Sequence, residues 1–196
     1  MEEYLKKRLK SVDYKTRRKI EKLFKEMNES ISLLFDIATR DEKTGLYNDK
    51  FFNTELEMEI EKAQRGKQKL SLVITDIDYF KKINDKYGHI KADELLYKLA
   101  KVIQKQIRKS DIAARFGGEE FVILLPETSL TKAKKLCIRL RNAIHKDKVL
   151  KKHGLTVSGG ITQFRKKDNK KAFKSRSDKA LYQAKKQGRD EFVVLG

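Results

Sequence analysis

Gly117-Gly118-Glu119-Glu120-Phe121 is the stretch on which the reading of this chain turns. Glycine accepts positive φ, so Gly117-Gly118 suits the centre of a two-residue hairpin turn. Two carboxylates follow at once, and then an apolar run, Phe121-Val122-Ile123-Leu124-Leu125, of the kind a buried strand shows. The turn therefore projects acid groups at the mouth of a strand. Neighbouring like charges repel, so a purely structural chain has little use for them there. A site for metal and phosphate does have a use for them.

Working outward, residues 70–75 are a short, nearly continuous apolar run and read as a buried strand. Ala92, Leu95, Leu96, Leu99, Val102, Ile103 and Ile107 recur at helical spacing over residues 92–107. Residues 112–116 and 121–125 are expected to pair as a hairpin across the two glycines. Residues 129–145 read as a helix, and residues 155–162 as a strand that Gly159-Gly160 interrupts. Ser177 suits the cap of a helix that ends at Gly188. Residues 191–195 read as a last, edge-like strand.

The order over residues 70–162 is thus β-α-β-β-α-β, the split βαβ or ferredoxin-like arrangement of an α+β domain. In it the third strand lies between the first and second and antiparallel to both. Asp76, closing the first strand, then meets Glu119, opening the third, on one edge of the sheet.

Few, hard oxygen ligands on an open edge suit Mg²⁺, which keeps waters and takes further ligands from substrate phosphates. Asp76 and Glu119 form the natural pair. Asp78 is either a third ligand or turned away, because alternate strand residues point to opposite faces. Lys81 and Lys82 stand near a helix start, where a lysine neutralises phosphate, though each alone is also an ordinary surface lysine. Asn84, Asp85 and Asp93 surround Lys86-Tyr87-Gly88-His89. A carboxylate accepts from N1–H and N2–H of guanine, and an amide can complete that edge. Adenine lacks this donor pair and would leave a buried acceptor unpaired. Without context these are loop polars, and His89 a loop histidine. Lys185 and Arg189, four residues apart, either grip terminal phosphates or face the C-terminal dipole of the last helix.

Residues 1–40 contain no Gly and no Pro. Leu5, Leu9 and Val12 begin an apolar stripe that fades. Ile20, Phe24, Met27, Ile31 and Leu34 then step by 4, 3, 4 and 3, a seam of about two heptads. Residues 1–40 therefore read as an N-terminal helix, either a dimerising stalk or an amphipathic helix packed on its own domain. A polar break follows at residues 40–45. A second helix is expected over residues 48–64, with Phe51, Phe52, Leu56 and Ile60 on one face and Gly66 at its end.

At 196 residues the chain is one domain plus this appendage. Cys137 is the single cysteine, which excludes an intrachain disulfide and fits a reducing cytosol. It shares helical spacing with Ala133, Leu140 and Ile144 and reads as core. No run approaches the length of a membrane span, and the start lacks a secretory pattern, so a cytoplasmic protein is expected. Lys and Arg number 47 against 28 Asp and Glu, a formal charge of +19 that invites a nucleic-acid reading. The lysines, however, are spread over every segment without the interleaved aromatics of a stacking platform. No nucleic-acid partner is expected, and the charge suits a small polyanionic substrate.

Taken together, DEKTGLYN (41–48), DIDYFKKINDKYGH (76–89), ADELL (92–96), RKSDIAARFGGEEF (108–121), TVSGGIT (156–162) and DKALYQAKKQGRD (178–190) resemble the GGDEF domain, the catalytic domain of diguanylate cyclases. The resemblance covers residues 41–196 and implies the palm-type nucleotide cyclase fold, a mostly antiparallel sheet flanked by helices. It implies that Asp76, the backbone carbonyl of Ile77 and Glu119 hold two Mg²⁺ ions, with Mn²⁺ able to substitute. Glu119 would also be the base for the 3′-hydroxyl. Lys81 and the backbone amides of Tyr79 and Phe80 would stabilise the phosphates. Asn84 and Asp93 would read guanine, with His89 against the nucleotide, and Lys185 and Arg189 would bind the terminal phosphates. The implied reaction joins two GTP across a homodimer into cyclic di-GMP and two pyrophosphates.

Arg108-Lys109-Ser110-Asp111 fits the inhibitory RxxD motif that precedes the signature. The strand between spans about 17 Å at roughly 3.3 Å per residue, so Arg108 and Asp111 cannot touch the substrate of Glu119. The resemblance implies that they bind product, with Arg139 helping from a partner subunit. The chain departs from the family pattern at Lys43 (usually Leu), Asp49 (usually Arg), Ala92 (usually Gly) and Gly159 (usually apolar). A degenerate domain that senses GTP or cyclic di-GMP is the alternative function. The intact Asp76, Lys81 and Glu119 favour the enzyme.

Overall fold

The computed structural model describes residues 12–66 and 68–196, which fall into two compact units divided after Thr39. The first unit is helix α1 (Tyr14–Thr39). Asp13 starts it, its carboxylate accepting from the Thr16 N–H at 3.1 Å. Val12 precedes the helix, and Leu5 and Leu9 of the first expected stripe lie outside the described residues. Arg17–Glu21, Lys22–Glu26 and Lys25–Glu29 pair at i, i+4 on its polar side. Leu23, Met27, Ile31 and Leu34 are exposed. Ile20, Leu23, Phe24 and Met27 line a shallow apolar hollow of about 150 Å³. No described helix is long and apolar enough to cross a membrane.

The second unit is a five-stranded sheet with helices on both faces. Its elements are α2 (Asp49–Gly66), β1 (Leu70–Ile77), α3 (Phe80–Gln106), β2 (Ile112–Gly117), β3 (Glu120–Pro126), α4 (Leu130–Lys146), α5 (Lys148–Lys152), β4 (Val157–Gln163), α6 (Lys170–Lys186) and β5 (Phe192–Val194). Strand order is β2-β3-β1-β4-β5. β1 pairs antiparallel with β3 and β4, β3 antiparallel with β2, and the short edge strand β5 parallel with β4. This is the expected α+β order, with the third strand between the first two. Alternation along the strands divides the core. Val73, Ile77, Phe121, Ile123 and Ile161 pack under α3 and α4, and Leu70, Leu72, Ile74, Val122 and Leu124 pack under α2 and α6.

Two expectations fail in the same place. Gly159-Gly160 does not interrupt β4, because both residues are paired within the ladder, opposite Thr75 and Ile74. Their lack of a side chain serves packing instead. A Cβ on Gly160 would lie 2.0 Å from the Ser177 carbonyl oxygen and 2.5 Å from the Leu181 nitrogen of α6. A Cβ on Gly159 would run into the Phe192 ring of β5 at 2.3 Å. Nor does Ser177 cap a helix. α6 begins at Lys170 behind Asn169, whose side chain accepts from the Ala172 N–H at 2.8 Å. Ser177 is buried in mid-helix and donates to the Gly160 carbonyl at 2.9 Å. The helix thus lies directly on the backbone of β4, and its C-terminal turn is brought to the edge where β1 ends.

Candidate active site

The hairpin at the signature is offset by one residue from the expected one. Gly117 pairs with Glu120, so the two loop residues are Gly118 and Glu119. A register shift between Arg115 and Gly117 causes the offset, and Gly118 takes φ 48°. Arg115 fixes the turn. Its Nε and Nη2 donate to the Gly118 carbonyl at 3.0 and 2.6 Å, and its Nη1 reaches both Asp41 carboxylate oxygens at 3.3 Å. Asp41 in turn accepts from the Thr44 N–H at 2.9 Å and the Thr44 hydroxyl at 2.6 Å. The segment 41–48 is thus a brace for the acidic turn, a role the sequence reading did not assign.

Glu119 and Asp76 meet at this edge. The Ile77 N–H donates to the Glu119 carbonyl at 3.2 Å. Burial first, and then the Asp76 charge, push the Glu119 carboxyl above the usual carboxylate range, with Lys185 opposing. Asp76 lies directly across the ladder from Glu120, on the face covered by α6. Burial and the charges of Asp178 and Asp76 likewise raise Glu120. The Lys185 ammonium sits 2.8 Å from Asp76 Oδ1. One carboxylate has therefore already drawn a cation, and the other is held at a cost that a cation would relieve. Among the described residues no three His, Cys, Asp or Glu side chains form a metal cage. Two carboxylates and a strand-end carbonyl fit a hard ion that completes its shell with water and phosphate.

Asp78 is turned away from this pair. It is buried and accepts from the Thr156 hydroxyl at 2.7 Å, the Ser158 hydroxyl at 2.6 Å and the Asp190 N–H at 3.0 Å. Asp190 also binds Arg141 at 2.8 Å and lies 2.8 Å from His145 Nε2. Asp78 thus secures the loop after α6 from beneath. Asp78→Asn is expected to cost about 1–2 kcal/mol, since the amide replaces one of two accepting oxygens with an NH₂ that faces a donor. A urea midpoint equal to wild type would contradict this role.

That loop carries Arg189. Arg189 (φ 67°) and Tyr79 (φ 54°) both occupy the left-handed region, which non-glycine residues enter at some cost. They meet, with the guanidinium 4.3 Å above the Tyr79 ring and its Nη1 3.0 Å from the Tyr79 hydroxyl. Tyr79 precedes α3, whose first turn holds Phe80 and the exposed Lys81, and the Lys82 ammonium also lies over the Tyr79 ring, 4.4 Å from its centroid. Asp76, Glu119, Lys185, Arg189 and the start of α3 are therefore connected at one sheet edge.

α3 breaks at Gly88 (φ 78°), and the base-reading candidates flank the break. Asn84 Oδ1 lies 3.2 Å from His89 Nδ1. Asp93 is not free: Lys43 Nζ bonds its two oxygens at 2.9 and 2.8 Å. Sequence reasoning noted Lys43 as a departure but gave it no partner.

Arg108, Asp111 and Arg139 collect beyond the other end of the β2–β3 hairpin. The Arg108 N–H donates to Asp111 Oδ2 at 2.8 Å, and the Asp111 N–H to the Arg108 carbonyl at 3.1 Å. Burial raises the Asp111 carboxyl, opposed by the Arg108 N–H bond and by the charges of Arg108 and Arg139. Asp111 Oδ1 is buried with no partner among the described residues. Arg139 bonds the Gln106 side chain at 2.9 Å and the Gln106 carbonyl of its own chain.

Comparison with known proteins gives a consistent result. Residues 38–191 match the family described as "Diguanylate cyclase, GGDEF domain". The chain is 42% identical over 163 residues to diguanylate cyclase DgcP of Pseudomonas aeruginosa, covering 80% of this chain and 24% of that one. It is 37% identical to diguanylate cyclase A of Treponema denticola, covering 83% of this chain and 46% of that one. The chain therefore spans less than half the length of either relative. The solved structure of the coiled coil and GGDEF domain of DgcB from Caulobacter crescentus, in complex with c-di-GMP, superimposes with a TM-score of 0.80 at 26% identity, over 91% of this chain and 96% of that one.

Proposed function

This chain belongs to the GGDEF family of diguanylate cyclase domains, and from that premise we propose that it condenses two GTP into cyclic di-GMP and two pyrophosphates. The observation that carries the reading is the convergence of Asp76 and Glu119 from distant segments onto one edge, with an ammonium already seated on the first.

Asp76, Glu119 and the Ile77 carbonyl would hold Mg²⁺. The ion would supply charge neutralisation on the phosphates at an in-line displacement. Lys185 leaves Asp76 as that charge is met elsewhere and joins Arg189 on the terminal phosphates. Lys81 and the amides of Tyr79 and Phe80 take the remaining phosphate oxygens at the start of α3. Asn84 and Asp93 accept the guanine edge, with His89 beside it. Glu119 takes the 3′-hydroxyl proton. The 3′-oxygen bonds to the α-phosphorus of the second nucleotide, the bond to the β-phosphate oxygen breaks, and pyrophosphate leaves. The same exchange in the opposite direction closes the ring.

Two domains must face each other for this. The exposed Met27, Ile31 and Leu34 of the α1 seam support a dimerising stalk of residues 1–40 that holds two copies of the domain of residues 41–196 within reach. Incubation with GTP and Mg²⁺ tests the whole reading. Cyclic di-GMP is the expected product, and tight GTP binding without product would favour a sensor.

Arg108 and Asp111, with Arg139, form the proposed product site. Its support is the gathering of the Arg108 and Arg139 charges around Asp111, beyond the far end of the hairpin from Glu119. Arg108→Ala is expected to weaken inhibition by added cyclic di-GMP roughly tenfold, the size of one charge-assisted hydrogen bond. An unchanged inhibition constant in progress curves would remove the site.

A further inference from the structure

We infer that Lys43 competes with the nucleobase for Asp93 and thereby sets how readily guanine is admitted. This rests on the reading of Asp93 as the carboxylate that accepts the guanine edge. The geometry is specific. Lys43 Nζ bonds Asp93 Oδ1 at 2.9 Å and Oδ2 at 2.8 Å, so the ammonium bridges both oxygens. Those are the two acceptors that N1–H and N2–H of guanine require. An ammonium and a purine edge cannot both lie in front of one carboxylate.

The lysine is presented rather than drifting. Its neighbour Thr44 is fully buried. Asp41 ties the loop through the Thr44 N–H and hydroxyl, the Gly45 N–H returns to the Asp41 carbonyl at 2.8 Å, and the Asp41 N–H donates to the Leu46 carbonyl at 2.8 Å. Arg115 holds Asp41 from the sheet. The backbone that carries Lys43 is therefore pinned, and only the lysine stem moves.

The pair is also exchangeable. Its side chains are 46% and 40% exposed, so its net strength is that of a surface ion pair, enough to compete and too little to block. Guanine replaces the ammonium with two N–H donors. Hypoxanthine brings one, and adenine presents a bare acceptor at N1 and leaves the pair closed. The cost of opening is the same for any base that enters.

The experiment measures binding of nonhydrolysable analogues of GTP and of inosine triphosphate to the full chain with Mg²⁺, for wild type, Lys43→Met, Lys43→Arg, Asp93→Ala and the Lys43→Met/Asp93→Ala double variant. Both sites are half-exposed, and melting curves check that each variant is folded. Lys43→Met is expected to tighten both analogues by the same factor, about two- to fivefold. Lys43→Arg keeps an ion pair and is expected to bind no tighter than wild type. Asp93→Ala is expected to weaken the GTP analogue tenfold or more, and adding Lys43→Met to it is expected to bring no gain. If Asp93→Ala weakens binding and Lys43→Met leaves it unchanged or weaker, the competition is overturned and the base-reading role stands. A change in the ratio of the two analogues in Lys43→Met would make Lys43 a reader of the base, which also overturns it. Wild-type affinity in Asp93→Ala would overturn both readings together.

Discussion

Glu119→Gln is expected to lower turnover by roughly 10²–10⁴-fold while the nucleotide still binds. The substitution keeps the size of the side chain. It also keeps the backbone bonds that shape the turn, from Arg115 to the Gly118 carbonyl and from Ile77 to the Glu119 carbonyl. What it removes is the negative charge and the capacity to take a proton. Stability separates this outcome from misfolding. The Glu119 carboxyl is raised by burial and by Asp76, so its ionised form costs stability above its folded pKa and not below the unfolded one. Glu119→Gln is therefore expected to melt at or slightly above wild type at pH 7. The gain, under about 1 kcal/mol for a half-exposed group, is expected to vanish as pH falls through the raised value. A folded variant with full turnover would show that another group removes the proton.

Gly160→Ala is expected to cost about 2–4 kcal/mol, a fall of roughly 5–12 °C in Tm. The added methyl would fall 2.0 Å from the Ser177 carbonyl oxygen and 2.5 Å from the Leu181 nitrogen. Both are helix backbone, which cannot step aside without moving α6. That helix carries Lys185 to Asp76, so activity is expected to fall as well. Gly159→Ala is the control. Its nearest obstacle is the ring of Phe192 on the edge strand, a side chain that can rotate away, so the loss is expected to be smaller. Equal melting of Gly160→Ala and wild type would mean that α6 does not press on β4 as described.

These two positions mark what could and could not be read from the chain. The strand order was legible because the two central strands, β1 and β3, are nearly continuous apolar runs and the helices between them keep their period. From that order followed the meeting of Asp76 with the acidic turn. Glycine was read locally, and there it misled. Gly159-Gly160 looked like a break, yet its smallness answers to a helix that arrives later in the sequence. Ser177 looked like a cap for the same reason, since a hydroxyl that reaches across to a strand carbonyl leaves no local trace. The hairpin slipped by one residue because a bulge on β2 is set by the ladder and not by the glycines alone. Lys43 and Arg115 were invisible as site residues, because the reach of a long side chain depends on which loop the fold brings beside it. The one cue to Lys43 was a lysine where the family pattern has leucine.

Arg115 gives the acidic loop an unusual mooring. The guanidinium ties the Gly118 carbonyl of the loop to the carboxylate of Asp41, the second residue of the domain after Thr39. The doorway by which the polypeptide enters the domain and the turret on which its reactive acid stands are thus one strut. Removing that one guanidinium would therefore loosen the start of the domain and the seat of Glu119 together.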